Sequence, residues 1–261
     1  MKIIKIDLPS DWEELELYPL FDWHIGDRMS DTFLIEATLK RIMETPNAMC
    51  ILGGDIMDTA IASSVGDTYG AHIQPMEQLK LCVNLFEPLA KAGKIAAILP
   101  GNHEGRVYRS DGIDITAMMA AQLGLSHRYS ETTVLLFIRF GLESRRASEG
   151  RKLVYSVFAS HGNGGGSKAG GKINRLSDMA QVIDSDIYMC GHTHLPAVFR
   201  EGYYRVSKNN NSIQYVDRLF VNAAAALNYG GYGEKAGFKP ASKKSPVIYL
   251  DGRRHNATAK I

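Results

Sequence analysis

Five apolar runs in this 261-residue chain each stop at a short polar cluster. Residues 15–21 end at Asp22-Trp23-His24, residues 47–52 at Gly53-Gly54-Asp55-Ile56-Met57-Asp58, and residues 95–99 at Pro100-Gly101-Asn102-His103-Glu104-Gly105-Arg106. Residues 152–160 run into His161-Gly162, and residues 186–190 into Gly191-His192-Thr193-His194. Short apolar runs bounded by turn residues predict buried strands. Open α/β sheets carry their ligands at the carboxyl ends of such strands, so the five clusters are expected to converge.

Helical spacing fills the intervals. Ser30 or Asp31 can cap a helix to about residue 45, with Ile35, Leu39, Ile42 and Met43 on one face and Pro46 beyond its end. Met76, Leu79, Cys82, Val83, Phe86, Leu89 and Ala90 repeat helically over residues 75–93, with Pro88 predicting a kink or an earlier end. A third helix is expected over 113–123 and a short one over 172–183. Strand-like runs at 133–140 and 152–160 flank a polar turn and predict a hairpin; further strands are expected at 198–206, 213–221 and 247–250. The first half is thus βαβ-like, with a parallel strand pair, and the second mostly β. Two packed sheets with helices outside both accommodate that order within a single domain, residues 1–261. Loops 59–74, 162–171 and 222–245 are expected near the site.

Charge is distributed unevenly although the formal net charge is only +2. Residues 1–100 hold 8 basic and 15 acidic side chains, residues 200–261 hold 11 and 4. The acidic half suits metal ions and the basic end an anionic substrate or nucleic acid. Cys50, Cys82 and Cys190 lack metal or redox spacing and read as core residues of a reducing compartment. No run approaches the ~18 apolar residues of a membrane span, so a cytoplasmic protein without a membrane partner is expected. The oligomeric state is open.

The strand-end residues are Asp, Asn and His, hard oxygens mixed with imidazole, which suits Mn²⁺, Fe or Zn²⁺ better than Ca²⁺ or a thiolate site. Two cations roughly 3.5–4 Å apart can clamp a phosphoryl group and activate water, and Asp55 is the candidate carboxylate between them. Individually, Asp22-x-His24 is compatible with a surface turn, Asn102-His103 with a hydrogen-bonded imidazole and Asp58 with a helix cap. Strand alternation puts His192 and His194 on one side. Five of the eight histidines lie in these clusters; His72, His127 and His255 read as ordinary loop or surface residues.

Taken together, Asp22-x-His24, Gly54-Asp55-x-x-Asp58, Gly101-Asn102-His103-Glu104, His161 and Gly191-His192-x-His194 resemble the calcineurin-like metallophosphoesterase superfamily over residues 17–195. The resemblance implies a four-layer α/β/β/α sandwich of two mixed sheets with a dinuclear site at the strand ends. Asp22, His24 and His194 would hold one metal, Asn102, His161 and His192 the other, and Asp55 would bridge them. It further implies hydrolysis of a phosphate ester by in-line attack of a metal-bound hydroxide, with His103 as proton donor held by Asp58. Two divalent ions, Mn²⁺ first, with Fe or Zn as alternatives, are the expected cofactors.

Arg106 could reach substrate phosphate through a bidentate contact or form a structural ion pair. Gly164 and Lys168, in a glycine-rich loop without Walker spacing, could approach a phosphate ester or merely connect. Glu104 reads as orienting its neighbours or as a surface residue. Tyr203, Tyr204, Arg205, Tyr215, Arg218, Lys243 and Lys244 favour a nucleotide or nucleic-acid phosphodiester or monoester. The alternatives are a Ser/Thr-type protein phosphatase, against which Thr59-Ala60 stands where that branch usually carries Arg-Gly, and a non-catalytic metal-binding scaffold, in which ligands should be missing.

Overall fold

The computed structural model describes residues 1–61, 73–141, 153–164, 166, 168–235 and 237–261. Most of the expected 59–74 loop, the turn of the expected hairpin and positions 165, 167 and 236 of the other two expected loops lie outside these residues.

In chain order the elements are β1 (Lys2–Asp7), β2 (Glu14–Leu20), α1 (Thr32–Glu44), β3 (Ala48–Leu52), α2 (Pro75–Lys91), β4 (Ile95–Ile98), α3 (Glu104–Asp111) and α4 (Ile115–Gln122). There follow β5 (Thr133–Phe140), β6 (Leu153–Ser160), α5 (Ala169–Ser177), β7 (Ile187–Cys190), β8 (Ala197–Ser207), β9 (Ser212–Asn222), α6 (Gly231–Lys235), β10 (Val247–Asp251) and β11 (Ala257–Lys260). One sheet has the order β1-β5-β6-β7-β9-β8, the other β11-β10-β2-β3-β4.

Side-chain alternation builds the layers. Leu15 and Leu17 of β2 and Met49 and Ile51 of β3 face Val134, Leu136, Val157, Ile187 and Leu219 of the other sheet in one core between the two. Their alternate neighbours Leu20, Cys50 and Leu52 pack outward on Ile35, Ile42, Leu79, Phe86 and Met119 of α1, α2 and α4. On the far side Phe158, Tyr188 and Phe220 pack on Leu176 and Met179, in and just after α5. Strands buried on both faces read as unbroken apolar runs, as β3 does, whereas half-buried strands alternate. The result is the expected α/β/β/α sandwich of two mixed sheets.

The pairings aim the chemistry. β2, β3 and β4 are mutually parallel, and so are β6, β7 and β9, so within each sheet the polar clusters emerge from the same end.

Several boundaries differ from the sequence reading. Met43 and Met76 are exposed rather than on the apolar faces of their helices. Asp31 caps α1 through the Leu34 N–H, and Asp114 caps α4, which starts two residues later than expected. α2 runs through Pro88 to Lys91. Glu104 opens an additional helix, and α5 begins three residues early, shortening the glycine loop. The alternating stretch KIIKID forms β1, parallel to β5, and β11 pairs with β10. No helix among the described residues is long and apolar enough to cross a membrane.

Candidate metal centre

Close approach of the strand ends requires their glycines. A Cβ on Gly101 would lie 2.1 Å from Asp55 Oδ1, and one on Gly191 2.5 Å from Asp22 Oδ2. Both contacts are far inside van der Waals range, so only glycine lets these carboxylates meet the neighbouring turns. The backbone is strained where the site forms: Asp22, His24, Asp55, His192 and His194 all have positive φ, between 45° and 63°. Non-glycine residues rarely adopt this region, and such outliers cluster at functional sites.

Two donor sets form without His103. The ligating atoms of Asp22, His24 and His194 lie within 4.8 Å of one another, as do those of Asp55, His161 and His192, and a third group, His24, Asp58 and His103, meets the same distance. His24 Nε2 is 3.4 Å from His194 Nε2. His161 Nε2 lies 3.2 Å from both Asp55 Oδ2 and Asn102 Oδ1, and 3.9 Å from Asp22 Oδ1, so the sets adjoin. His161 Nδ1 is 3.0 Å from the Gly53 carbonyl; donating its proton there leaves Nε2 to carry either a proton or a cation between the carboxylates.

Asp22 is completely buried; its Oδ2 accepts the His192 N–H at 2.7 Å, but Oδ1 has no hydrogen-bond partner among the described residues. An orphaned buried carboxylate oxygen is costly unless something binds it. It lies 3.5 Å from His194 Nε2. Orphaned oxygen, imidazole nitrogen and mixed donors together fit divalent cations.

Electrostatics follow the geometry. Burial alone would raise the carboxyls of Asp22 and Asp55, yet the adjacent imidazoles hold both below the usual carboxylate range. Burial likewise disfavours a charged His161, but Asp55 pushes it up to about 9. Desolvation lowers His24 and His192.

His103 sits beside these sets. Its Nδ1 is 3.0 Å from Asp58 Oδ1 and 2.9 Å from the Asp58 carbonyl, its backbone N–H donates to Asp55 Oδ1 at 2.8 Å, and its Nε2 is 3.8 Å from Asp55 Oδ2. Arg106 Nη2 approaches His103 Nε2 at 2.8 Å. Burial opposes a charge on His103, but Asp58 and Asp55 raise it net above its ordinary value.

Two residues brace the site: Glu104, in the orienting role that was one of its two sequence readings, and Asn222, which the sequence did not mark. Glu104 is buried; its Oε2 accepts the N–H groups of Asp55 and Gly101, and its Oε1 that of Met57, each at 2.9 Å. Burial and the Asp55 charge raise its carboxyl. Asn222, at the end of β9, donates to Thr193 Oγ1 at 2.9 Å and to the Leu195 carbonyl at 2.6 Å, gripping the loop that carries His192 and His194.

The remaining candidates are less closely tied. Gly164 has positive φ and lies against the Arg175 guanidinium. Lys168 is exposed, and its side chain forms no hydrogen bond or ion pair among the described residues. Lys172 instead reaches the Thr193 carbonyl at 2.7 Å. Much of the carboxyl-terminal positive charge is neutralised internally: Arg205 and Arg218 share Asp184, and Lys243 pairs with Asp31.

No protein-family model and no curated protein sequence matches the chain. Among solved structures it is similar to a predicted phosphoesterase from Streptococcus pneumoniae, at 11% identity over 95% of this chain and 98% of that one, TM-score 0.35. It is also similar to zinc-complexed Vps29 from Entamoeba histolytica, at 10% identity over 94% and 97%, TM-score 0.38. A metallophosphoesterase from Sphaerobacter thermophilus is 14% identical over 94% and 87%, TM-score 0.37. At these scores the likenesses carry no functional argument; the chain resembles the calcineurin-like metallophosphoesterases in the order of its strand-end residues and in its two-sheet α/β/β/α fold.

Proposed function

We propose that the protein is a dimetal phosphoesterase. The observation that carries this reading is the orphaned, fully buried Asp22 Oδ1 facing imidazoles from two adjoining donor sets. Asp22, His24 and His194 would hold one cation, Asn102, His161 and His192 the other, and Asp55 would serve both. Mn²⁺ is the first candidate, with Fe or Zn²⁺ accepted by the same donors. When bound, two such ions supply Lewis acidity toward phosphoryl oxygens and activate a water.

The chain's own groups do the rest. Asp58 orients His103 through Nδ1, so that His103 Nε2 can deliver a proton to the leaving oxygen. Arg106, which meets that same nitrogen, transfers its N–H groups to the substrate phosphate and thereby frees His103. Gly164 and Lys168 are assigned to the outer part of the substrate. The presence of His103, Asp58 and every expected ligand favours catalysis over a scaffold role. A nucleotide or nucleic-acid ester is the substrate class proposed from the sequence; the internal pairing of Arg205, Arg218 and Lys243 removes part of the charge that suggested it.

The test is metal analysis of the purified protein with hydrolysis of bis-p-nitrophenyl phosphate and the corresponding monoester in Mn²⁺, followed by nucleotides and DNA or RNA ends. Two metals with turnover of either ester is expected. Metal binding with no turnover would leave the scaffold reading, and a marked preference for phosphoproteins the phosphatase one.

A further inference from the structure

β8 and β9 pair over eleven rungs, about twice an ordinary strand length. Near the site their inner face is core: Val198, Leu219 and Val221 pack between the two sheets. Further along the ribbon the same face is crossed by the Arg200–Asp217 ion pair and then turns apolar again, but exposed. Tyr204 stands directly opposite Tyr215, and Val206 opposite Ile213; these four are 78%, 65%, 67% and 68% exposed. The tyrosine rings meet at 5.9 Å, and Tyr215 lies over Gly202, whose Cβ would fall 2.4 Å from its hydroxyl. The patch is thus preorganised by cross-strand packing.

We propose that two copies of this chain pack these ribbon faces against each other across a twofold axis. Large exposed apolar patches mark interaction sites, and three observations favour a second copy as the occupant. The face continues the inter-sheet core, so a facing ribbon reproduces the sheet-on-sheet packing the chain already uses. It carries little free charge: its two charged side chains along the paired rungs, Arg200 and Asp217, pair with each other, so identical faces do not repel, whereas a nucleic acid would require unpaired cations. The four side chains present roughly 500 Å² per copy, so a pair buries about 1,000 Å², the lower bound for a specific interface. Asn222 ends β9 beside the metal-ligand loop and Ile213 begins it at the other end, so association leaves the site open.

The experiment is sedimentation equilibrium of the full chain over a wide concentration range. A mass rising to twice that of the chain is expected. Tyr204→Ser combined with Tyr215→Ser, and separately Ile213→Glu, should weaken association at least about tenfold with unchanged circular dichroism, and Ile213→Glu should leave ester hydrolysis unchanged. Wild-type protein that stays at chain mass at its highest soluble concentration overturns the proposal, as does a dimer that survives both variants. Cosedimentation with phosphatidylcholine and phosphatidylserine vesicles without self-association would assign the face to a lipid surface instead and equally overturn it.

Discussion

The Glu104 carboxylate accepts the backbone N–H of Asp55 at 2.9 Å, across 49 residues of chain. The same oxygen accepts the Gly101 N–H and its partner oxygen the Met57 N–H, so one buried side chain ties the turn after β3 to the turn after β4. A glutamine can keep one acceptor but replaces the other with an NH₂ aimed at a donor. Glu104→Gln is therefore expected to lose about 1–3 kcal/mol of stability and about 10–100-fold in Mn²⁺ affinity, as for other residues that orient ligands. Thermal melts and calorimetric titration with Mn²⁺ measure the two. Unchanged affinity would show that Asp55 does not depend on this brace.

Gly101→Ala tests close approach rather than chemistry. The added methyl would lie 2.1 Å from Asp55 Oδ1 and 2.2 Å from the Asp55 nitrogen. Backbone cannot yield cheaply there, and overpacking typically costs about 1–3 kcal/mol. The expected outcome is a folded protein by circular dichroism that binds fewer than two equivalents of Mn²⁺. Full stoichiometry would mean that the two turns can separate without disturbing the centre.

His103 and Asp58 are separable from the ligands. His103→Ala and Asp58→Asn are expected to retain metal while lowering turnover, His103→Ala by about 10²–10⁴-fold, the ordinary contribution of a positioned acid. The loss should shrink for an ester with a good leaving group, such as p-nitrophenolate, which needs little protonation. Metal analysis alongside kcat on good and poor leaving groups checks this. Loss of metal from His103→Ala would instead make His103 a ligand, in the set it forms with His24 and Asp58.

How far the site was legible in the sequence follows from what each residue does. Asp22, His24, Asp55, Asn102, His161, His192 and His194 stand at the ends of apolar runs, and a strand end is a local signal. Glu104 and Asn222 act through contacts 49 and 29 residues away, which spacing does not encode. Nor does residue type announce positive φ at His24 or His192. Two glycines in the first turn of α5 mask its true start, and with it the reach of Lys172 to Thr193. β1 gives little sequence signal because KIIKID is short and alternates between buried and exposed positions. The layered fold was legible because both sheets have parallel centres of nearly continuous apolar residues.

Proton competition sets the pH dependence of metal binding. Despite burial, Asp55 pushes His161 up to about 9 in the metal-free protein. A cation must displace that proton, so affinity should rise with pH through the neutral range and level off above about 9. Calorimetry at pH 7.5 in buffers of different ionisation enthalpy should register the release of about one proton from this group. The metal-free fold responds oppositely: the raised His161 stabilises it below pH 6.5, and that contribution is lost as pH rises through about 9. Depressed Asp55 contributes above its ordinary value of 3.8 and loses the contribution as pH falls. A pH-independent affinity would place His161 outside the ligand set.

Asn222 offers the sharpest distinction between holding a ligand and being one. It is buried, and none of its side-chain hydrogen bonds among the described residues reaches a donor atom; its amide grips Thr193 Oγ1 and the Leu195 carbonyl, while its Oδ1 accepts from Cys190 Sγ at 3.0 Å. The loop it braces holds His192 and His194, one in each donor set, at positive φ that local backbone preference opposes. Asn222→Leu removes the grip and leaves Thr193 Oγ1 and the Leu195 carbonyl without this partner, at a cost of about 1–3 kcal/mol per buried group. Affinity should fall at both metal positions together, because one loop serves both, whereas His194→Ala should weaken chiefly the position shared with Asp22 and His24. Titration with Mn²⁺ resolved into two steps discriminates the cases. A variant in which only one step weakens would show that the two histidines are held independently.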